Sequence, residues 1–375
     1  MARVLRGAAA GAVLGLLVLP GVAWSAEVVW HGYAQHRFYA PQGGAARFRV
    51  DRVSLSATAQ IDANTTAYVE WYFHNYVAAV SAAEPYRTYL ESAYADFKLP
   101  AGTLRVGKGR RMAFAITPSY PNRKLSNYGI FSEAFTQDRA QGIQYFVNAP
   151  DKGYEAGIAL LTAMRIGNRG IGDVTLDGTN TVKSLADRDI PHDINESLQI
   201  DAKIGLLNKA GARLGITGSF GHLDRSDLDF LNGTEVVSGV SGVPVARFAG
   251  SHTSRKHNRY GAYFTYPWKD YIAQGMYIEG KTSDIKQTGF ELTAGYSPKG
   301  MKPKAYVRYA GVDIDLPVTA SQYTWDKRQL GLSVVKPLKP TVWLQVEYER
   351  NVESQPAGTA KVKNDLAFVE LFTGF

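Results

Sequence analysis

Seven basic side chains carry the most legible chemistry in this chain: Arg52, Arg105, Arg110, Arg111, Arg123, Lys124 and Arg139. Five of them lie in or at the edge of one stretch, residues 111–139, RMAFAITPSYPNRKLSNYGIFSEAFTQDR, beside Phe114, Tyr120, Tyr128, Phe131 and Phe135. A guanidinium is a planar fork of donors that stays charged at any relevant pH, so it suits an oxyanion. Basic groups around water-filled space favour anions, because an ion stripped of some water needs compensating charge. Lys203, Arg213, Arg259, Lys304 and Arg308 add to the set, and Glu70, Asp201, Glu291, Glu347, Glu349 and Glu370 oppose it. Glu133 and Asp138, in the same stretch, can pair with some of its cations, which orients the segment and dilutes its field.

Other chemistries fit less well. His31, His36, His74, His192, His222, His252 and His257 are scattered, with no H-x-x-x-H or G-x-S-x-G setting, so no enzyme is expected. GKGRR at 107–111 lacks the spacing of a phosphate-binding P-loop and no helix follows it. Asp227, Asp229, Asn232 and Glu235 miss the spacing of a calcium loop and read as a solvated acidic loop, followed by a Gly- and Ser-rich segment VSGVSGVP. With no Cys, neither disulfides nor thiolate metal sites are available, and no cofactor or metal is expected.

The elements that must position the basic side chains alternate with a period of two. In 52–61, Val53, Leu55, Ala57, Ala59 and Ile61 share one face, and Arg52, Ser54, Ser56, Thr58 and Gln60 share the other. After a turn at 62–64, Ala67, Val69, Trp71, Phe73 and Val77 alternate with Thr66, Tyr68, Glu70, Tyr72, His74 and Tyr76, which makes a hairpin with one apolar and one polar face. Comparable segments recur at 28–39, 87–98, 103–110, 141–148, 154–165, 197–207, 212–222 and 258–266, then at 270–281, 288–296, 303–311, 326–336, 341–350 and 363–375. Segments 154–165 and 270–281 are apolar on both faces and their orientation is open.

The connections sort by length. Short ones fall at 62–64, 99–102, 149–153, 208–211, 267–269, 297–302 and 336–340, and long ones at 111–139, 166–196, 223–257, 312–325 and 351–362. Short turns at one end and long loops at the other mark a transmembrane barrel. Lipid offers no hydrogen-bond partner, so the sheet must close with no free edge. The expected fold is an all-β, antiparallel transmembrane barrel of about sixteen strands, wide enough for an aqueous channel. Trp71, Phe73, Tyr260, Tyr266, Trp268, Tyr296 and Tyr348 lie where its aromatic girdles belong.

Composition agrees. A mean hydropathy of -0.20 argues against helical spans. Arg3 and Arg6, the apolar run Ala8–Leu19, Pro20 and the small residues of VAWSA read as a secretory signal over 1–25, leaving an outer-membrane barrel domain over 26–375. Its removal takes two of the 42 basic residues and none of the 34 acidic ones, so the net charge falls from +8 to +6. On an exported chain that balance points to small anions or lipid phosphates, including lipopolysaccharide, and not to nucleic acid.

The last segment, LAFVELFTGF, puts Ala367, Val369, Leu371, Thr373 and Phe375 on one face and resembles the strand by which bacterial outer-membrane proteins are recognised for assembly, with Thr373 where an aromatic often stands. Over 47–148 the chain resembles the trimeric outer-membrane porins, and within them the phosphate-selective porin O and P family. The pieces are RFRVDRVSLSATAQI, AYVEWYF, ESAYADFKLPAGTLRVGKGRR and DRAQGIQYF, with Arg52, Asp96, Arg105, Gly107, Arg139 and Gly142 at the matching positions. The resemblance implies a homotrimeric channel for small hydrophilic solutes with a preference for anions such as phosphate, located in the outer membrane. It also implies that the third long connection, 111–139, folds inward and sets the constriction. An outward placement at a subunit interface serves the same aromatics, and a general diffusion channel, a barrel enzyme or an adhesion barrel are the alternative functions.

Overall fold

The computed structural model describes residues 27–42, 44–74, 87–114, 118–136, 139–162, 165–167, 186–188, 198–232, 251–315, 326–353 and 364–375. The signal segment 1–25, Glu235 and the VSGVSGVP segment lie outside them.

The first strands are β1 (Glu27–Pro41), β2 (Arg47–Gln60), β3 (Thr65–His74), β4 (Arg87–Leu99), β5 (Gly102–Arg110), β6 (Arg139–Ala149) and β7 (Tyr154–Thr162). A small two-stranded sheet, β8 (Arg165–Gly167) with β9 (Ala186–Arg188), follows. Then come β10 (Leu198–Leu207), β11 (Arg213–His222), β12 (Lys256–Trp268), β13 (Tyr271–Thr282) and β14 (Ile285–Tyr296). The last are β15 (Lys304–Asp315), β16 (Lys327–Lys339), β17 (Val342–Glu353) and β18 (Leu366–Gly374). Leaving out β8 and β9, the strands form one closed antiparallel barrel of sixteen, in which β18 pairs with β1, Tyr33 opposite Gly374 and Pro41 opposite Leu366. Phe375 and Gly32 then exchange backbone hydrogen bonds of 3.0 Å, which completes the seam.

Alternation decides which side chains face inward. Ile200, Ile204, Leu214, Ile216, Leu332 and Val334 are exposed on the outer face, while Gln199, Asp201, Gln274, Glu291, Arg308 and Glu347 are buried on the inner one. Polar inside and apolar outside inverts the pattern of a water-soluble sandwich and matches what lipid demands of a barrel. Tyr260, Tyr266, Trp268, Tyr296 and Tyr348 are exposed, as a girdle requires, and Trp268 stacks on Tyr271 across a short turn at 5.9 Å.

Three differences from the sequence reading have physical causes. Segments 154–165 and 270–281 lacked an orientation because, beside the inward Glu155 and Gln274, several of their inward residues are themselves apolar. Ala159, Leu161, Met276 and Ile278 are buried in a cluster with Met112, Phe114, Phe131 and Phe135 of the 111–138 connection. Strand β14 begins at Ile285, earlier than the segment 288–296 that alternation indicated, and it meets β13 in a tight turn at Ser283, whose φ of 58° is left-handed, so this connection at the long-loop end is short. The acidic segment after β11 holds a short helix, α2 (Arg225–Leu231), in which Asp224 and Asp227 exchange backbone hydrogen bonds through their carboxylates; α1 is Gly129–Phe135.

Candidate functional site

The connection between β5 and β6 runs from 111 to 138, since Arg110 and Arg139 end and begin those strands and face each other in register. It opens with a 3-10 turn, Met112–Phe114, and ends in α1; both are buried. Its start is fixed to β10 and β11. Arg111 donates Nε and Nη2 to the two carboxylate oxygens of Asp201, both at 2.8 Å, and Nη2 also to Ser219 at 2.8 Å. Gln144 accepts from the Met112 backbone N–H at 2.9 Å, and Thr217 donates to the Ala113 carbonyl at 2.7 Å.

The middle of the connection is fixed to β15, β17, β18 and β1. Glu347 accepts from the backbone N–H groups of Ser126 at 2.6 Å and Asn127 at 3.2 Å. Glu349 accepts from the Asn127 amide at 3.0 Å, and Glu370 accepts from the Ser126 hydroxyl at 2.7 Å and from the Tyr120 hydroxyl. Arg37 pairs with Glu370 and Asp51, while Arg308 pairs with Glu349 at 2.7 Å and donates to the carbonyls of Asn127 and Tyr128 at 2.8 and 3.0 Å. The neighbouring rings of Tyr33, Tyr72, Tyr120 and Phe372 form a second buried cluster.

Apolar side chains of the connection sit over inward-facing glycines of the wall. A Cβ on Gly289 would lie 2.5 Å from the Phe135 ring and 3.0 Å from that of Phe131; Gly157 and Gly331 make the same allowance for Met112 and Leu125. Gly129, at the start of α1, combines a φ of +80° with an approach of 2.5 Å to the Arg308 guanidinium carbon, so no other residue fits there. Gly289→Val should therefore push α1 off the wall and destabilise the barrel by about 1–3 kcal/mol. The check is thermal unfolding in detergent together with proteolysis of 129–135, and unchanged behaviour in both counts against this packing.

The seven basic residues named from sequence do not form one group. Arg110, Arg123 and Arg139, with Arg52, lie close enough to Tyr128 to act on its phenol. Ser119 accepts from Arg110 at 3.3 Å and from Arg139 at 3.4 Å, the Arg123 guanidinium lies 3.5 Å over the Tyr128 ring, and that of Arg52 lies 4.9 Å from the Tyr72 ring. Arg139 pairs with Glu91 at 2.6 Å. Nε and Nη2 of Arg110, Nε and Nη1 of Arg123 and the Tyr128 hydroxyl are buried with no hydrogen-bond partner among the described residues. Burial raises the Tyr128 pKa, but the guanidinium groups of Arg139, Arg123, Arg52 and Arg110 outweigh it and bring the phenol down to about 7. Arg111 instead serves Asp201. Arg105 lies toward the short-turn end, in a bidentate pair with Asp96 at 2.7 Å and over the Tyr94 ring at 3.7 Å. Lys124 stands apart, and burial, then Lys304, lower its pKa.

Of the other inward cations, Lys203 pairs with Glu155 at 2.9 Å and Arg259 donates to the Phe135 carbonyl at 3.4 Å. Sequence reasoning passed over Arg37, Ser119 and the place of Tyr128 at the centre of the cations. The signal for Arg37 was its position on the polar face of β1; Tyr128 carried none beyond its membership of the long connection.

No family model matches the sequence, and no curated protein matches it. Solved structures share its fold. Salmonella typhi OmpF, in complex with daunomycin, aligns at a TM-score of 0.62 and 12% identity over 95% of this chain and 99% of that one. An anion-selective porin from Comamonas acidovorans aligns at 0.56 and 13% over 94% and 100%. OmpT, an outer membrane protein of Vibrio cholerae in its trimer form, aligns at 0.57 and 12% over 93% and 99%. The chain thus has the sixteen-stranded porin-type barrel along nearly its whole length.

Proposed function

We propose that this protein is an outer-membrane porin, a passive channel for small hydrophilic solutes, and that its 111–138 connection narrows the lumen and gives a preference for small anions such as phosphate. A closed barrel with an apolar outer face and a polar interior supports the channel itself. The observation that carries the anion preference is an imbalance of partners. Glu370 and Glu349 are paired with Arg37 and Arg308, and Glu347 accepts two backbone N–H groups. Arg110 and Arg123 have no carboxylate partner among the described residues. These three carboxylates are therefore satisfied within the wall, and the two guanidinium groups are left for a passing ion. The anion-selective porin among the structural neighbours is consistent with this reading. The reading includes export through the signal at 1–25, residence in the outer membrane against lipid and lipopolysaccharide, and a trimeric assembly like that of the OmpT form above.

Reconstitution in a planar bilayer tests it: ohmic single-channel steps are expected, which neither a barrel enzyme nor an adhesion barrel gives. In a salt gradient, the Arg123→Gln, Lys124→Gln variant should move the reversal potential toward cation selectivity. An unchanged reversal potential would favour a non-selective diffusion channel.

A further inference from the structure

A tyrosine set among four arginines is an unusual choice for a channel that prefers anions, because its hydroxyl is able to acquire negative charge. Tyr128 is 5% exposed, and its oxygen has no hydrogen-bond partner among the described residues. Its main chain is held from the opposite side, where Arg308 donates to its carbonyl at 3.0 Å. Its ring is held by Arg123, 3.5 Å away. The phenol is thus fixed by contacts that do not involve its oxygen.

We propose that Tyr128 is a specificity-determining residue whose phenol serves as a removable counter-charge to the arginine cluster, lowering the channel's anion preference when it loses its proton. This rests on the porin reading above. The charged groups around it come from several elements, beginning with Arg308 of β15, which pairs with Glu349. Acting on the phenol are Arg52 on β2, Arg110 on β5, Arg139 on β6 and Arg123 on the connection, with Glu91 on β4 already paired to Arg139. Tyr33 on β1, Tyr72 and Glu70 on β3 and Tyr120 on the connection stand behind them. Cations thus predominate in the first ring, which is the condition for a buried phenol to ionise at all. The fall of its pKa to about 7, against the burial that opposes it, places the change inside the working range of a channel.

The sign follows. Below the transition the phenol is neutral and the guanidinium groups act undiminished on a passing anion. Above it a phenolate cancels one positive charge, and the anion-to-cation permeability ratio falls. One unit charge acting across a few ångströms of water corresponds to a change of about threefold in that ratio.

Two measurements on the detergent-purified full chain test this, with Tyr128→Phe as the variant; the ring and its packing persist and no hydrogen bond is lost. The first is the ultraviolet difference spectrum of phenolate against pH. One of the 22 tyrosines should ionise near neutrality in the wild type, and that step should be missing from Tyr128→Phe. The second is the reversal potential in a potassium chloride gradient from about pH 6 to about pH 8.5, which spans the transition. The wild type should lose anion preference with rising pH by about threefold, and Tyr128→Phe should hold the higher value throughout, whatever the histidines contribute to both. Parallel pH profiles, or retention of the phenolate step in the variant, overturn the proposal. If the Arg123→Gln, Lys124→Gln variant shifts selectivity while the two profiles stay parallel, the porin reading stands and the Tyr128 proposal falls. If neither variant alters selectivity at any pH, both fall.

Discussion

Asp201→Ala should lower the unfolding temperature of the detergent-solubilised barrel sharply and open the start of the 111–138 connection to protease. The Arg111 side chain is 2% exposed and that of Asp201 is fully buried, so their attraction is little screened by water. Removing the carboxylate leaves a buried guanidinium with its strongest partner gone, a loss of about 3–5 kcal/mol. Ser219 still accepts one hydrogen bond from Arg111, but a hydroxyl does not replace a charge. The pair Lys209 and Asp151, at a similar 2.9 Å, has side chains 77% and 79% exposed and is worth about 1 kcal/mol at most. Asp151→Ala should therefore be nearly silent under the same assay. A double replacement, Arg111→Met with Asp201→Leu, should recover most of the loss, because exchanging both partners of a buried pair for apolar groups removes the orphan charge. If Asp201→Ala and Asp151→Ala behave alike, Arg111 does not anchor the connection.

The strands were legible because a barrel wall has two solvents, one on each face, and alternation records both. Where that condition failed, so did the reading. Leu161, Met276 and Ile278 face inward yet meet Phe131, Phe135 and their neighbours, not water, so β7 and β13 carried little contrast to read. Strand ends were less legible than strand centres: Ser283 adopts a left-handed φ that its residue type does not announce, and β13 and β14 continue up to it. Among the site residues, sequence offered the charges but not their pairing. Arg105 and Asp96 face each other across one hairpin, a contact that register alone supplies. Arg111 and Asp201 are brought together only by the closure of the sheet and the course of the connection, which no local pattern encodes. The same holds for the ring of guanidinium groups around Tyr128, drawn from β2, β5, β6 and the connection.

Replacing residues 118–128 by a flexible Gly/Ser linker of equal length should raise single-channel conductance several-fold and bring the anion-to-cation permeability ratio toward unity. The segment is held by carboxylates of β17 and β18, by Arg37 of β1 and by Arg308 of β15, on the far side of the barrel from β5, where it starts. On the channel reading proposed above, a chain with that course takes up cross-section that ions would otherwise use. Its removal takes away Arg123, Lys124 and Tyr128 together, and it releases Glu347, whose carboxylate currently accepts the Ser126 and Asn127 N–H groups. The two sides of the interior then differ less in unsatisfied charge, and a wider water-filled path lets ions keep more of their hydration, so discrimination weakens. The wall should survive the change, because the ladder from β1 through β18 closes without this segment, and the Arg111 anchor and α1 lie outside the replaced stretch. Single-channel recording beside a melting curve separates the outcomes. A folded variant with wild-type conductance would mean that residues 118–128 do not border the path of the ions, and the constriction would have to be sought among the other long connections.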